Sequence, residues 1–150
     1  MVDYRLIRAS EHIEQMMPML CDHWEALGRF HSVVPYAPDF DTMWRLEEND
    51  QLLSIGVFDG DRLCGYSVNI MTTWLHSCED LMCQNVVLWL EPEYRKGLSG
   101  VHLIRHTEMV AKGMGARVFL LSGRPNTVMF ELLPKLKYET YETVFARVLT

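Results

Sequence analysis

The chain is short of positive charge: 14 Lys and Arg stand against 20 Asp and Glu, a formal net charge of −6 over 150 residues. That balance excludes a broad nucleic-acid footprint, which needs a basic face to displace the counterions of a phosphate backbone. No apolar run approaches the roughly 18 residues of a membrane span, and the opening Met1-Val-Asp-Tyr-Arg5 has no apolar signal core. The expectation is therefore a cytoplasmic protein with no membrane partner. A disulfide framework is also missing. Cys21, Cys64, Cys78 and Cys83 include no Cys-x-x-Cys pair, and a chain of this length can build a core without staples. All four read as reduced thiols, mostly in the core. There is no internal repeat and no low-complexity stretch.

What remains is an apolar composition of 49% in a chain long enough for one domain around a real core. An acidic protein carrying one small basic turn points to a local anion site with a cationic or amine partner nearby. That turn lies in Leu88-Trp-Leu-Glu-Pro-Glu-Tyr-Arg-Lys-Gly-Leu-Ser-Gly-Val-His-Leu-Ile104. Residues 86–90 are a continuous apolar run, which suits a strand covered on both faces. Pro92 stops the strand because it has no N–H for a ladder. Arg95, Lys96, Gly97, Ser99 and Gly100 then crowd into six positions where a helix must begin. Unpaired N–H groups and partial positive charge at a helix start favour an anion, so a phosphate-bearing molecule is the expected guest.

Periodicity orders the rest. Residues 2–9 read as an opening strand, and Ser10-Glu11 opens a helix through residue 27 with Ile13, Met16, Leu20, Trp24 and Leu27 on one stripe, ended by Gly28. An aromatic and proline-rich loop covers 29–38, and Asp39 or Asp41 caps a short acidic helix to about residue 49. Leu52–Asp59 and Arg62–Thr73 alternate as strands joined at Asp59-Gly-Asp61, the second running on through Trp74 and His76. Glu79-Asp80 reads as a further turn and 81–91 as a returning strand, giving an antiparallel meander. A helix from the basic turn to about Gly113, a short strand at 117–121, a helix at 127–136 and a closing strand at 138–149 complete the chain. The order is β-α-α-β-β-β-α-β-α-β.

The basic turn resembles motif A of the GNAT family of acyl-CoA-dependent N-acyltransferases, whose turn reads Arg/Gln-x-x-Gly-x-Gly/Ala after a strand ending in apolar-x-Pro. On that pattern Arg95 takes the first position and Gly100 the last. Leu98 stands where the first glycine belongs, and Gly97 lies one position early. Asn126, Met129, Leu132 and the Lys135-Leu-Lys-Tyr138 tail resemble the family's Asn-x-x-Ala-x-x-x-Tyr-x-x-x-Gly-Phe segment, with Lys137 replacing the glycine. The element order is the family's order over nearly the whole chain. Glu91-Pro-Glu-Tyr-Arg95 also resembles short bacteriophage-encoded members.

The resemblance implies one α/β (α+β) domain over residues 1–150 in the GNAT fold, a mixed central sheet in which strands four and five splay apart and hold acetyl-CoA as acyl donor. Backbone N–H groups of Gly97, Leu98, Ser99 and Gly100 would hold the pyrophosphate, with Arg95 and Lys96 adding charge, unless Lys96 is simply solvated. Backbone groups at Leu88 and Leu90 would pair with the pantetheine arm as a strand does. Asn126 would reach the donor or cap the last helix. The implied reaction is direct acetyl transfer to a primary amine of a small molecule, peptide or protein.

A lysine-like amine is only about one part in 2,500 neutral at pH 7, a deficit of roughly 4–5 kcal/mol, so a base or water relay matters. The family's strand-four glutamate is absent here: that strand offers Gln84, Asn85, Val86 and Val87. Leu133 stands where a tyrosine acid is usual. The candidate catalytic set is therefore His76 as substitute base (or an exposed strand-end histidine), Gln84, the Leu90 N–H as oxyanion donor, and Tyr138 as proton source; Tyr138 and Tyr141 also suit packing. His31 and Tyr36 could shape an acceptor pocket, and Glu47 and Glu48 could attract the amine or merely form a wet helix face. His102 and His106 share a helix face, but no His-Glu-x-x-His arrangement accompanies them and no metal is expected. A second copy could pair with the long third strand or the apolar last strand. The alternative function is a non-catalytic docking module of the same shape with little or no acyl-CoA binding.

Overall fold

The computed structural model describes residues 1–149. They form two compact units, one spanning Met1–Leu120 and the other beginning at Leu121. In the first unit, strands β1 (Asp3–Ile7), β2 (Leu52–Asp59), β3 (Arg62–Trp74), β4 (Ser77–Leu90) and β5 (Val118–Leu120) make a sheet in the order β1-β2-β3-β4-β5. The first three pairings are antiparallel and the last is parallel, the mixed sheet expected. Helix α1 (Ala9–Leu27) and α2 (Phe40–Glu48) lie between β1 and β2 in the chain, and α3 (Ser99–Gly113) between β4 and β5.

The two faces of the sheet are buried separately. On one, Ala9, Met16 and Met19 of α1 pack on Phe58, Leu63, Tyr66 and Val68. On the other, Leu103 and Ala111 of α3 pack on Leu53, Ile55, Val57, Cys64, Met71, Cys83 and Leu90. A sheet covered on both faces needs apolar residues at successive positions, and β2 and β3 supply them. Gly28 ends α1 in the left-handed conformation (φ 62°), and the Asp39 side chain caps α2 at the Thr42 N–H, both as the residue types require.

Three sequence expectations change. The β3–β4 turn is Leu75-His76 rather than Glu79-Asp80, which lie inside β4; Asp80 is held there by Ser77 (2.6 Å) and Arg117 (2.6 Å). Glu47 is not on a wet face. It is buried and accepts from the Ser10 N–H and hydroxyl, so it closes the start of α1 from α2, with Arg8 at 3.4 Å. Finally, residues 138–149 form no strand. Alternating Thr and apolar residues favour a strand only where a neighbour takes up the backbone N–H and C=O groups, and β5 is the last strand of the sheet.

In the second unit, α4 (Val128–Lys135) is capped by Thr127, whose hydroxyl accepts from the Phe130 N–H at 3.3 Å. Lys137 follows in the left-handed conformation (φ 67°). Its N–H donates to Pro134 O, and that of Tyr138 donates to Leu133 O, each at 3.0 Å. This is the paired helix ending that normally takes glycine, with lysine in its place.

Candidate active site

The geometry of the basic turn begins with a bulge in β4. Asn85 pairs with Asn69 and Val87 with Val68, which leaves Val86 as an extra residue. An inserted residue reverses which face and which edge every later residue serves. Before it, Cys83 points to the α3 face; after it, Val87 and Trp89 turn to the α1 face while Leu88 and Leu90 face α3.

The edges are fixed at both ends of β4. Leu81 O accepts from Arg117 N on the β5 side at 2.8 Å, and Glu91 N donates to Cys64 O of β3 at 3.0 Å. By alternation, the N–H and C=O of Leu88 and Leu90 face away from β3. β5 does not reach them, since its pairing with β4 covers only Met82, Cys83 and Gln84. Strands four and five therefore part after Gln84, and Leu88 and the Leu90 N–H face the gap with no strand to pair with.

That open edge leads into a short 3-10 turn (Pro92–Tyr94) and then the start of α3. The turn is tied down from three sides. Arg62 pairs with Glu91 and Glu93, which also offsets two carboxylates close to a proposed anion site. The Tyr94 hydroxyl donates to Asp59 at 2.8 Å, and that bond pushes the phenol pKa up to about 12. Arg95 folds back: its Nε donates to Leu90 O at 2.8 Å, and its guanidinium lies 4.3 Å from the centre of the Trp89 ring.

Gly97 follows with φ 68°, a conformation that favours glycine. No side chain caps α3. Its first helical bond runs from His102 N–H to Leu98 O at 2.8 Å, so the amides of Ser99, Gly100 and Val101 are the unused donors of the first turn. On its own β-strand side, the Tyr4 hydroxyl donates to Ser99 O at 3.1 Å and steadies that turn.

Two glycines flank the Leu90 side chain. A Cβ on Gly65 would lie 2.5 Å from Leu90 Cδ2 and 2.7 Å from Trp89 O, whereas one on Gly100 would lie 3.8 Å from Leu90 Cδ1. Gly65 lets the end of β4 settle against β3, and Gly100 leaves room at the helix start. A glycine inside a strand pattern is the sequence sign of such an approach, and Gly65 carried it.

The structure brings together Leu88, Leu90, Arg95, Lys96, Gly97, Leu98, Ser99 and Gly100 along the β4–α3 connection, with Leu98 61% exposed. Gln84 is exposed on β4 as the last residue with a β5 partner. His76 is not part of this group. It sits on the β3–β4 turn beside Trp74, and the length of β4 puts it about 40 Å from Leu90 at the usual rise per residue. Asn85 is occupied in a buried polar cluster, donating to Asn69 Oδ1 at 2.9 Å and Ser67 Oγ at 3.2 Å. In the second unit, Asn126 is exposed in the left-handed conformation (φ 63°), and Thr127 rather than Asn126 makes the cap. Leu133 is buried and Tyr138 half-buried. His102 and His106 each pack against the Tyr4 ring, with centroids 6.1 and 6.0 Å away.

No family model matches the chain, and no curated protein matches it. Solved structures do. One is an aminoglycoside acetyltransferase from an uncultured soil metagenomic sample, 16% identical with a TM-score of 0.76, covering 100% of this chain and 99% of that one. Another is a ribosomal-protein-alanine N-acetyltransferase from Brucella melitensis biovar Abortus 2308, 14% identical with a TM-score of 0.75 and 99% of each chain covered. A third is AAC(6')-Iy in complex with a CoA bisubstrate analogue, 18% identical with a TM-score of 0.65, covering 100% of this chain and 99% of that one. At such identities the likeness is one of architecture: the chain has the GNAT fold.

Proposed function

We propose that this protein is an acetyl-CoA-dependent N-acetyltransferase that moves the acetyl group directly to a primary amine. The observation that carries the reading is the strand edge left without a neighbouring strand at Leu88 and at the Leu90 N–H, leading into an uncapped helix start at Ser99–Val101. An extended amide arm pairs with such an edge, and a pyrophosphate suits such a helix start. The solved acetyltransferases of the same fold, one holding a CoA analogue, support the choice of donor.

In this reading the Leu90 N–H, on the open edge, donates to the thioester oxygen as negative charge develops there. The amine nitrogen attacks the carbonyl carbon, the C–N bond forms and the C–S bond breaks. The attacking nitrogen loses a proton to water, and the departing thiolate takes one. β4 carries no Asp or Glu between Leu81 and Leu90, so the strand supplies position and an oxyanion donor rather than a base.

The test is calorimetric titration with acetyl-CoA. Saturable micromolar binding is expected, abolished in Gly100→Trp, whose indole would fill the space left at the helix start. The substitution should leave the fold intact, since a Cβ at Gly100 meets only Leu90 at ordinary contact distance. Absence of binding up to millimolar acetyl-CoA, or undiminished binding by the variant, would end this reading and favour a docking module of the same shape.

A further inference from the structure

Residues 139–149, which follow the end of α4, are exposed at every position, and among the described residues no backbone hydrogen bond involves them. Their large apolar side chains stand in water: Val144 is 82% exposed, Phe145 90% and Leu149 91%. The composition is that of a strand and not of a linker. Thr140, Tyr141, Thr143, Val144, Phe145 and Val148 are β-branched or aromatic, and the segment has no glycine and no proline. Apolar side chains beside a row of free N–H and C=O groups are a template for another strand.

The sequence of the segment says which strand. In an extended chain Glu139, Tyr141, Thr143, Phe145 and Arg147 share one face. Read outward from Thr143, that face has an aromatic ring on each side and then an acid at one end and a base at the other. An antiparallel copy of the same segment, centred on Thr143, sets Glu139 opposite the partner subunit's Arg147 and Tyr141 opposite the partner subunit's Phe145. Opposite charges and aromatic pairs directly across a ladder stabilise it, and a two-fold axis makes each pair twice.

That axis runs perpendicular to the paired strands, so residues facing each other come from the same face in both copies. Glu142 and Arg147 lie on opposite faces and cannot meet this way. Centring on Glu139, Glu142 or Arg147 would set like charges against each other. Within residues 139–149, the Thr143 register alone opposes an acid to a base. One copy cannot make these pairs by itself. Glu139 and Arg147 stand roughly 26 Å apart along an extended strand, and Glu142-Thr-Val144 between them holds no glycine, asparagine, aspartate or proline to fold a hairpin.

We infer that residues 139–149 are a dimerisation strand, pairing antiparallel with the same segment of a second copy about a two-fold axis at Thr143. The inference uses nothing from the acetyltransferase reading.

The test measures the monomer–dimer equilibrium of the intact protein by analytical ultracentrifugation. The parent should dimerise at micromolar concentration. Glu139→Arg and Arg147→Glu each place like charges in contact twice, and each should weaken the dimer about tenfold. The double variant restores opposite charges and should return to within about threefold of the parent. Cross-linking reads the register, with the exposed Cys21 and Cys78 replaced by Ser and diamide as the two-electron oxidant. Thr143→Cys should form an intermolecular disulfide, since directly opposed Cα atoms lie about 4.5–5.5 Å apart, within disulfide reach. Thr140→Cys should not, because its two copies are offset by six residues, roughly 20 Å. A monomer up to millimolar concentration would mean that the segment is covered by its own chain or by another protein, and would overturn the inference. So would a dimer indifferent to the charge series, or equal cross-linking at residues 140 and 143.

Discussion

Gly65 shows how a single missing methyl can set a site's geometry. Its neighbours across the ladder are Trp89 O and the Leu90 side chain, both closer than a Cβ tolerates. In Gly65→Ala, β4 must move away from β3 at the residue whose N–H is the proposed oxyanion donor. Overpacking of this kind costs about 1–3 kcal/mol. Displacing the donor should lower kcat/KM by roughly 10–100-fold, a part of what outright loss of such a donor costs. Gly113→Ala is the matching control. That glycine ends α3 with nothing within 4 Å of a Cβ, so the change should stabilise by about 0.5–1 kcal/mol and leave turnover alone. Urea unfolding of both variants, with rates measured alongside, checks the pair. An unaltered rate in a folded Gly65→Ala protein would mean that the end of β4 has no part in the chemistry.

Elements are held together here by ends as much as by faces. The start of α1 is closed by Glu47, the start of α2 by Asp39, and the start of α4 by Thr127, while the start of α3 has no side-chain cap. The bond from the Thr42 N–H, followed by the Thr42 hydroxyl, holds the Asp39 carboxyl below its ordinary pKa. A depressed carboxyl stabilises the fold above its unfolded pKa of about 4 and loses that contribution as pH falls through the lower folded value. Asp39→Ala should therefore melt earlier than the parent at pH 7, with the difference shrinking below about pH 4. A difference that persisted at low pH would show that the carboxylate charge is not what matters.

The capping pattern at Asp39 and Gly28, the β2–β3 hairpin at Asp59-Gly-Asp61 and the strand–turn–helix at Leu88–Ile104 were all legible in the sequence, because each depends on residues close together in the chain. The Val86 bulge was not, since an extra residue in an apolar run leaves no compositional mark. Without it the parity of β4 comes out wrong, and Trp89 falls on the α3 face. The Leu75-His76 turn lacks the usual glycine or asparagine signal. The cluster on the α1 face escaped for a third reason: Tyr66 meets Trp89 only through the sheet register, and His23 meets Trp89 only where α1 crosses the sheet. Of the catalytic set, Leu90 and Gln84 lie on the strand that parts from β5, whereas the local carboxylates that singled out His76 say nothing about its distance along that strand.

For the molecule as a whole, the proposed reaction meets a β4 that carries no carboxylate between Leu81 and Leu90, its Glu79 and Asp80 lying at the far end of the strand. A net charge of −6 helps gather protonated amines, but a protonated amine cannot attack. On the proposed reaction the protein would bind the abundant form and react through the scarce one. If water alone takes the proton, kcat/KM for a primary amine should rise about tenfold per pH unit from roughly pH 6 to pH 8, levelling only near the amine's own pKa. Substituting an amine of lower pKa should move that plateau down by the same interval, which no enzyme group would do. A rate that levels near pH 6.5–7 with every amine would instead reveal a titrating histidine. Outside the β3–β4 turn, His23 on Trp89 and His31 on Trp24 are the ones to substitute next. A pH profile on two amines of different pKa decides between a scaffold that relies on the acceptor's own ionisation and one that carries its base on α1 or the loop after it.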